Sequence, residues 1–278
     1  MRTRNTSTLT TVMSAVIALA MAAWPVTGAA AESNWDQIKR TGKLRLGVFA
    51  YPPNHYIDTK TGKWEGFAVD MARDIASTME VALDYGESSF GNAPLDLQAN
   101  KIDIQFGLQA TPKRAMAIDF AGPIYELNYI MINGKNFHGK TWEDYNKPEV
   151  KVAVKMGASS ELAVRMYAPR AQRVELKEIA DIIMAVQAGR ADALGDMAIA
   201  GLVAKIRNPQ LGEFVQPTPI SGLPSYAGMR FDGDHRFRDF VTRWAEFHRL
   251  TGSVPKWIRK SLTSLDIKES DIPDDLRF

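Results

Sequence analysis

The side chains able to do chemistry in this chain are few. There is no cysteine, so there is no disulfide, no thiolate nucleophile and no thiolate metal ligand. The four histidines, His55, His138, His235 and His248, show no i, i+3 or i, i+4 pairing that would set two imidazoles on one helix face. That spacing argues against a histidine metal site. Arg114, closing the run Thr111-Pro112-Lys113-Arg114, is a better candidate. A guanidinium stays charged and offers a planar fork of donors that fits a carboxylate through two parallel bonds. Most arginines are solvated, so the residue alone equally allows an exposed arginine at a helix start. Ser159, two past Gly157, stands where a helix is expected to begin. Its hydroxyl and the free N–H groups of a first turn suit a carboxylate, and they suit an ordinary N-cap as well. Gly107, Leu108 and Gln109 close an expected strand, and ligands of open α/β sheets lie at strand ends. Plain strand-to-helix geometry is the other reading of those three.

The frame around these residues alternates short strands with amphipathic helices, which reads as α/β with a largely parallel sheet. Residues 43–48 alternate polar and apolar and predict a strand, stopped by Pro52 and Pro53. Residues 59–63, with Gly62, predict a turn between two extended arms. Residues 67–79 predict a helix with Ala68, Met71, Ala72, Ile75, Ala76 and Met79 facing inward and Asp70, Arg73 and Asp74 outward. Strands are expected at 81–85 and 102–108, with a short helix at 94–99 between them. Residues 119–132 read as extended throughout, too long for one ordinary strand. A strand crossing from one lobe to another accounts for the length. A second α/β set follows, with strands at 150–154, 173–176 and 191–194 and helices at 159–167, 179–188 and 198–206. Gly189 sits where a C′ glycine belongs. Pro217, Pro219, Gly222 and Pro224 predict an irregular stretch, and 226–230 a return crossing. The last helices carry Phe237, Phe240, Val241, Trp244 and Phe247 on one face.

Before all of this stands a segment that reads as an export leader. Arg2 and Arg4 form a basic start, residues 12–25 are mostly apolar, and Ala29-Ala30-Ala31 offers the small-x-small pattern of a cleavage site. The apolar run falls short of the roughly 20 residues a membrane-spanning helix needs. Cleavage after Ala31 would leave 247 of the 278 residues, enough for two lobes each with its own core. The formal charge of +2 comes from Arg2 and Arg4, since the remaining Lys+Arg and Asp+Glu balance at 32 each. A nucleic-acid or anionic-membrane partner would call for a basic excess that the balanced remainder lacks.

At this point the chain resembles the bacterial extracellular solute-binding proteins of the polar amino-acid type (family 3), the substrate-binding components of ABC transporters. Gly42-Lys43-Leu44-Arg45-Leu46-Gly47 followed by Tyr51-Pro52-Pro53 is similar to the family's opening strand and proline turn. Gly66-Phe67-Ala68-Val69-Asp70 matches its Gly-Phe-x-x-Asp helix start. The most specific stretch is Lys101-Ile102-Asp103, Thr111-Pro112-Lys113-Arg114 and Asp119-Phe120. Val152-Ala153-Val154-Lys155-Met156-Gly157 and Gly189-Arg190-Ala191-Asp192-Ala193 continue the match. The resemblance covers essentially all of the chain after the leader. It implies α/β in a two-lobed periplasmic-binding-protein fold (type II), each lobe a mixed sheet flanked by helices, with two hinge crossings and ligand in the cleft. The lobes would be 32–127 with 226–278 and, between them, 128–225, after a signal peptide at 1–31. Closure around ligand would be hinge bending.

The resemblance also assigns roles. Arg114 would grip a ligand carboxylate; Gly107 and Gln109 would offer backbone and short polar groups; Tyr51 and Phe90 would sandwich the ligand side chain between flat apolar walls. Ser159 would meet the carboxylate at the helix start, Lys155 matches a position that contacts ligand in some relatives, and Asp196 would hold the ammonium. Two departures bear on the last role. The spacing from Asp192 to Asp196 is one residue short, and Phe49 and Ala50 stand where relatives often carry an aspartate. The amine site is therefore poorer in negative charge than in binders of basic amino acids, which points to a neutral polar or acidic ligand. The family also includes periplasmic dehydratases acting on prephenate-like acids. Such an enzyme needs a second acid–base group, and Asp196 is the single acidic candidate in the expected cleft. A sensing ectodomain would need a membrane span and an output domain. The expectation is thus a periplasmic, monomeric binding protein with no catalytic role, no cofactor, no metal and no nucleic-acid partner, working with the membrane subunits of an ABC importer.

Overall fold

The computed structural model describes residues 32–273; the expected leader at 1–31 lies outside the described residues. The first elements are α1 (Asn34–Thr41), β1 (Lys43–Val48), the short arms β2 (Tyr56–Ile57) and β3 (Trp64–Glu65), α2 (Phe67–Thr78), β4 (Ala82–Glu87), α3 (Ala93–Gln98), β5 (Gln105–Leu108) and α4 (Pro112–Ala115). Ser33 caps α1 by accepting from the Asp36 N–H, and Gly42 ends it in the left-handed region. β1 pairs in parallel with β4, and Leu46 bridges to Ile104, which continues the layer towards β5. The motif residue Asp103 is a structural anchor. Its fully buried carboxylate accepts from the Arg45 N–H at 2.8 Å and from the Arg45 guanidinium at 2.6 and 3.1 Å, with Gln37 of α1 at 3.3 Å. It therefore ties α1, β1 and the entry to β5 together.

α2 does a second positioning task. Its first N–H groups, which have no partner inside the helix, donate to the carbonyls of Pro53 and Asn54 (both 3.2 Å). A Cβ on Gly66 would lie 2.2 Å from the Asn54 carbonyl oxygen, and Gly66 has φ 124°. Only glycine lets the loop 51–55 close down on this helix start. The expected inner face of α2 is buried, but Asp70 is a correction: it is buried too, in an ion pair with Lys260 at 2.8 Å and with Arg73. A charge alone does not place a residue outside when a cation from a neighbouring helix reaches it.

β6 (Ile118–Asn133) is one strand of 16 residues and leads into α5 (Trp142–Tyr145), β7 (Lys151–Lys155), α6 (Ser159–Tyr167), β8 (Gln172–Leu176), α7 (Ile179–Gln187), β9 (Ala193–Met197), α8 (Ala198–Arg207) and β10 (Phe214–Val215). β7 pairs in parallel with β8 and β9, and β9 runs antiparallel to the far end of β6. The chain returns through β11 (Gly222–Arg230), then α9 (Arg236–Leu250) and α10 (Ser253–Thr263). β11 runs antiparallel to β6 over nearly its whole length and also pairs with β5, with Tyr226 opposite Leu108. β6 and β11 are thus the two crossing strands between the two α/β sets, as the long extended segments predict, and this is the two-lobed type II architecture. Gly222 and Pro224, expected in irregular chain, lie inside β11: the pairing with β6 outweighs their local preference. β9 sits two residues later than expected. On α9, Phe237, Val241 and Trp244 are buried, whereas Phe247 is 61 % exposed and does not join that face.

Candidate functional site

The loop carrying Tyr51 is closed by Tyr51 and His55, which exchange main-chain bonds. Phe90 follows β4, Gly107 lies in β5 and Gln109 just after it, and Arg114 belongs to α4. Lys155 ends β7, Ser159 opens α6, and Asp196 lies within β9. Five of the eight candidate residues come together at one cavity, and the other three stand behind or beside it. Tyr51, Phe90, Gly107, Gln109 and Ser159 line one cavity beside Asn54, Tyr125, Leu127, Met197, Ala200 and Ser225. Arg114 and Asp196 do not line it but stand behind its walls, Arg114 on the Gln109 and Phe90 carbonyls and Asp196 on the Tyr51 hydroxyl. Lys155 stands further out, with its ammonium 5.7 Å from the centre of the Phe49 ring and bonded to the Lys177 carbonyl at 2.6 Å. It is buried rather than solvated at the surface.

Arg114 is held by a short local device. Thr111 caps α4 and accepts from the Arg114 N–H at 3.3 Å. The guanidinium then donates to three main-chain carbonyls: Gln109 at 3.4 Å, Phe90 at 3.2 Å and, across the cleft, Gly157 at 2.9 Å. Among the described residues no carboxylate pairs with it. Burial draws its pKa down from the ordinary arginine value, yet a guanidinium remains charged throughout the working pH range. Gly157 is itself fixed by its N–H donating at 2.8 Å to Glu161, three positions into the α6 first turn. Ser159 is the first helical residue and not the N-cap; Ala158 takes that place and offers no side-chain acceptor. The Ser159 hydroxyl is thus not committed to capping.

On the opposite wall, the Tyr51 hydroxyl donates across the cleft to Asp196. The same carboxylate oxygen accepts from the Met197 N–H at 2.8 Å, and the other oxygen is buried with no protein partner among the described residues. Burial pushes the Asp196 carboxyl up to about 6; the bonds from Tyr51 and Met197 and the charge on Lys155 oppose that shift. The Tyr51 phenol is raised by burial and by Asp196. Burial lowers Lys155. The aromatics differ from a parallel sandwich. Tyr51 and Phe90 meet edge to face with centroids 5.1 Å apart, and Phe49 meets Phe90 the same way at 4.7 Å. His55 packs on Phe49, and burial drives its pKa down to about 3.

Sequence reasoning missed Asn54, Tyr125, Ser225 and the apolar role of Phe49. Phe49 was legible as a third aromatic beside Tyr51, but reading it as a lost aspartate hid that. Tyr125 and Ser225 carry no local signal; they meet because β6 and β11 pair in the register that sets Ser225 opposite Tyr125.

Residues 44–139 match the model of the bacterial extracellular solute-binding proteins, family 3. A solved structure, an ancestral cationic amino acid solute binding protein, is 30 % identical over 82 % of this chain and 99 % of its own, with a TM-score of 0.64. The chain belongs to family 3 of the bacterial extracellular solute-binding proteins. Curated relatives of this family 3 protein include the glutamine-binding protein of Geobacillus stearothermophilus, 27 % identical over 57 % of this chain and 62 % of that one. They include also the cyclohexadienyl dehydratase of Pseudomonas aeruginosa, 25 % identical over 80 % of this chain and 84 % of that one. Across the curated relatives the matches span from 57 to 84 % of their own lengths. Among the described residues no helix is long and apolar enough to cross a membrane.

Proposed function

We propose that this protein captures a small carboxylate-bearing amino acid, neutral polar or acidic, in the periplasm and delivers it to an ABC importer. The observation that carries the reading is Arg114: a half-buried guanidinium that spans from the Gln109 and Phe90 carbonyls to the Gly157 carbonyl across the cleft, with no carboxylate partner among the described residues. A ligand carboxylate would exchange those neutral contacts for a bidentate charge-assisted pair. The free carboxylate oxygen of Asp196 supports an ammonium site on the other wall, and the first turn of α6 at Ser159 supports a second hold on the carboxylate. Residues 32–127 with 226–278 would form one lobe and 128–225 the other, hinged at β6 and β11. A ligand closes such lobes only when it contacts both better in the closed form, and Arg114 with Asp196 and Ser159 meets that condition. The family resemblance and the relatives named for amino acids support the importer role, and the basic, apolar, small-residue order of residues 1–31 supports export.

The charge preference rests on Lys155, whose charge is felt at Asp196, and on Phe49 in place of an acid. One observation favours a second reading. A buried carboxyl poised near 6, bonded to a tyrosine hydroxyl, could transfer a proton, and a dehydratase is among the relatives. The amine-holding role accounts for the same Asp196 without a second acid–base group. Calorimetric titration with the common amino acids, run beside a turnover assay with prephenate, separates the two. The first reading requires saturable binding of at least one amino acid and no turnover; turnover of prephenate without amino-acid binding would replace it by the second.

A further inference from the structure

We infer that the cleft holds a second, hinge-side subsite in which Asn54, Tyr125 and Ser225 take a neutral hydrogen-bonding group of the ligand, a hydroxyl or a carboxamide. This deepens the binding reading above and rests on it: it chooses neutral polar over acidic ligands.

The geometry begins at Gly107, whose φ is 81°. A Cβ there would lie 3.4 Å from the Asn54 amide nitrogen and 3.5 Å from the Tyr125 hydroxyl. Both polar groups therefore converge over a residue without a side chain. The Tyr125 hydroxyl is buried and has no partner at hydrogen-bonding geometry. Ser225 faces it from the other crossing strand; its hydroxyl accepts from the Gln109 amide at 3.4 Å and so keeps its own proton to donate. Burial pushes the Tyr125 phenol up to about 12, against the opposing influence of Ser225 and Asn54 beside it, so it too remains a donor.

The residual cavity is about 10 Å³, the room of a single water. No lysine, arginine, aspartate or glutamate lines it. A charged group seated here would lose hydration with no counter-ion to replace it. A hydroxyl or amide would find donors and acceptors of both kinds. Buried polar groups are normally paired, and the Tyr125 hydroxyl, which Ser225 and Asn54 approach without meeting it at full hydrogen-bonding geometry, is the group such a ligand would satisfy. Because the two contributing strands are the crossings themselves, a ligand that reaches this subsite touches the hinge directly.

The test compares ligands that differ only in the group in question: glutamine with norvaline, and serine with alanine. Calorimetry is run on wild type, Tyr125→Phe and Ser225→Ala, each checked by circular dichroism. Wild type should prefer the polar member of at least one pair by about tenfold or more, and that preference should fall below about threefold in both variants, the scale of one buried hydrogen bond. A preference unchanged in both variants, or none in wild type, overturns the subsite while leaving the Arg114 reading standing. So does tighter binding of glutamate than of glutamine. Failure of wild type to bind any amino acid defeats both.

Discussion

Replacing Arg114 by alanine removes the cation proposed to hold the ligand carboxylate. In the free protein its fork spans three carbonyls, at 2.9, 3.2 and 3.4 Å. Bonds of this kind contribute about 1.5–3 kcal/mol each in favourable cases, but here they offset the desolvation that burial imposes on the guanidinium. The freed carbonyls border the cleft and can turn to water. The net change in folding stability should therefore be under about 1 kcal/mol. The loss in binding is larger, because a ligand carboxylate would be left buried and unpaired. Truncating one partner of a buried, hydrogen-bonded charge pair costs about 2–5 kcal/mol, about 30-fold to several thousandfold in Kd. Arg114→Lys keeps the charge without the planar fork and should recover only part of that loss. Calorimetry measures the affinity, and thermal melts followed by circular dichroism measure the fold. Unchanged affinity in a variant that melts like wild type would remove Arg114 from the site and with it the assignment of the surrounding motif.

Charge selectivity gives a second prediction. A neutral polar or acidic amino acid should bind at least about tenfold tighter than lysine or arginine, a gap of about 1.4 kcal/mol, and Lys155→Ala should narrow it in competition binding; a preference for lysine or arginine in wild type would mean an unplaced acid faces the cleft. His55 gives a pH dependence. Its folded value of about 3 lies below the unfolded 6.5, so the unfolded chain binds the extra proton and stability falls as pH drops below 6.5. Asp196, raised to about 6, acts in the opposite sense, losing stability as pH rises through the range from its unfolded value to about 6. Comparing wild type with His55→Phe cancels Asp196. From pH 7 to pH 5 the wild type should lose about 2 kcal/mol more than the variant in urea unfolding, and equal slopes would mean the imidazole is solvated. Gly66→Ala should cost about 1–3 kcal/mol and weaken ligand binding as well, since its Cβ collides with the loop bearing Tyr51 and Asn54; a melt and affinity like wild type would show that loop is not anchored there.

Local pattern carried the reading where an element is decided by its own residues. β1 and α6 fall on the expected residues because alternation and amphipathic spacing are complete within them. The crossing strand β6 was legible from its length alone. What lay outside that reach depends on partners far along the chain. Asp70 is buried because Lys260, 190 residues later, pairs with it. Pro224 is strand because β6 pairs with it. Asp196 lies inside β9, one position from its end, and so meets Tyr51 across the cleft rather than hanging from a loop. Of the cavity lining, Tyr51, Phe90, Gly107, Gln109 and Ser159 were legible through motifs; Tyr125 and Ser225, set only by strand register, were not.

The central claim, capture of an amino acid through its carboxylate, is tested most directly by thermal unfolding of the wild-type protein with a panel of amino acids and with the same compounds blocked as C-terminal amides. A true ligand at about 100 times its Kd should stabilise the fold by about 2.7 kcal/mol, and its amide should give essentially none. Equal stabilisation by an amino acid and its amide, or none from any amino acid, would contradict the account.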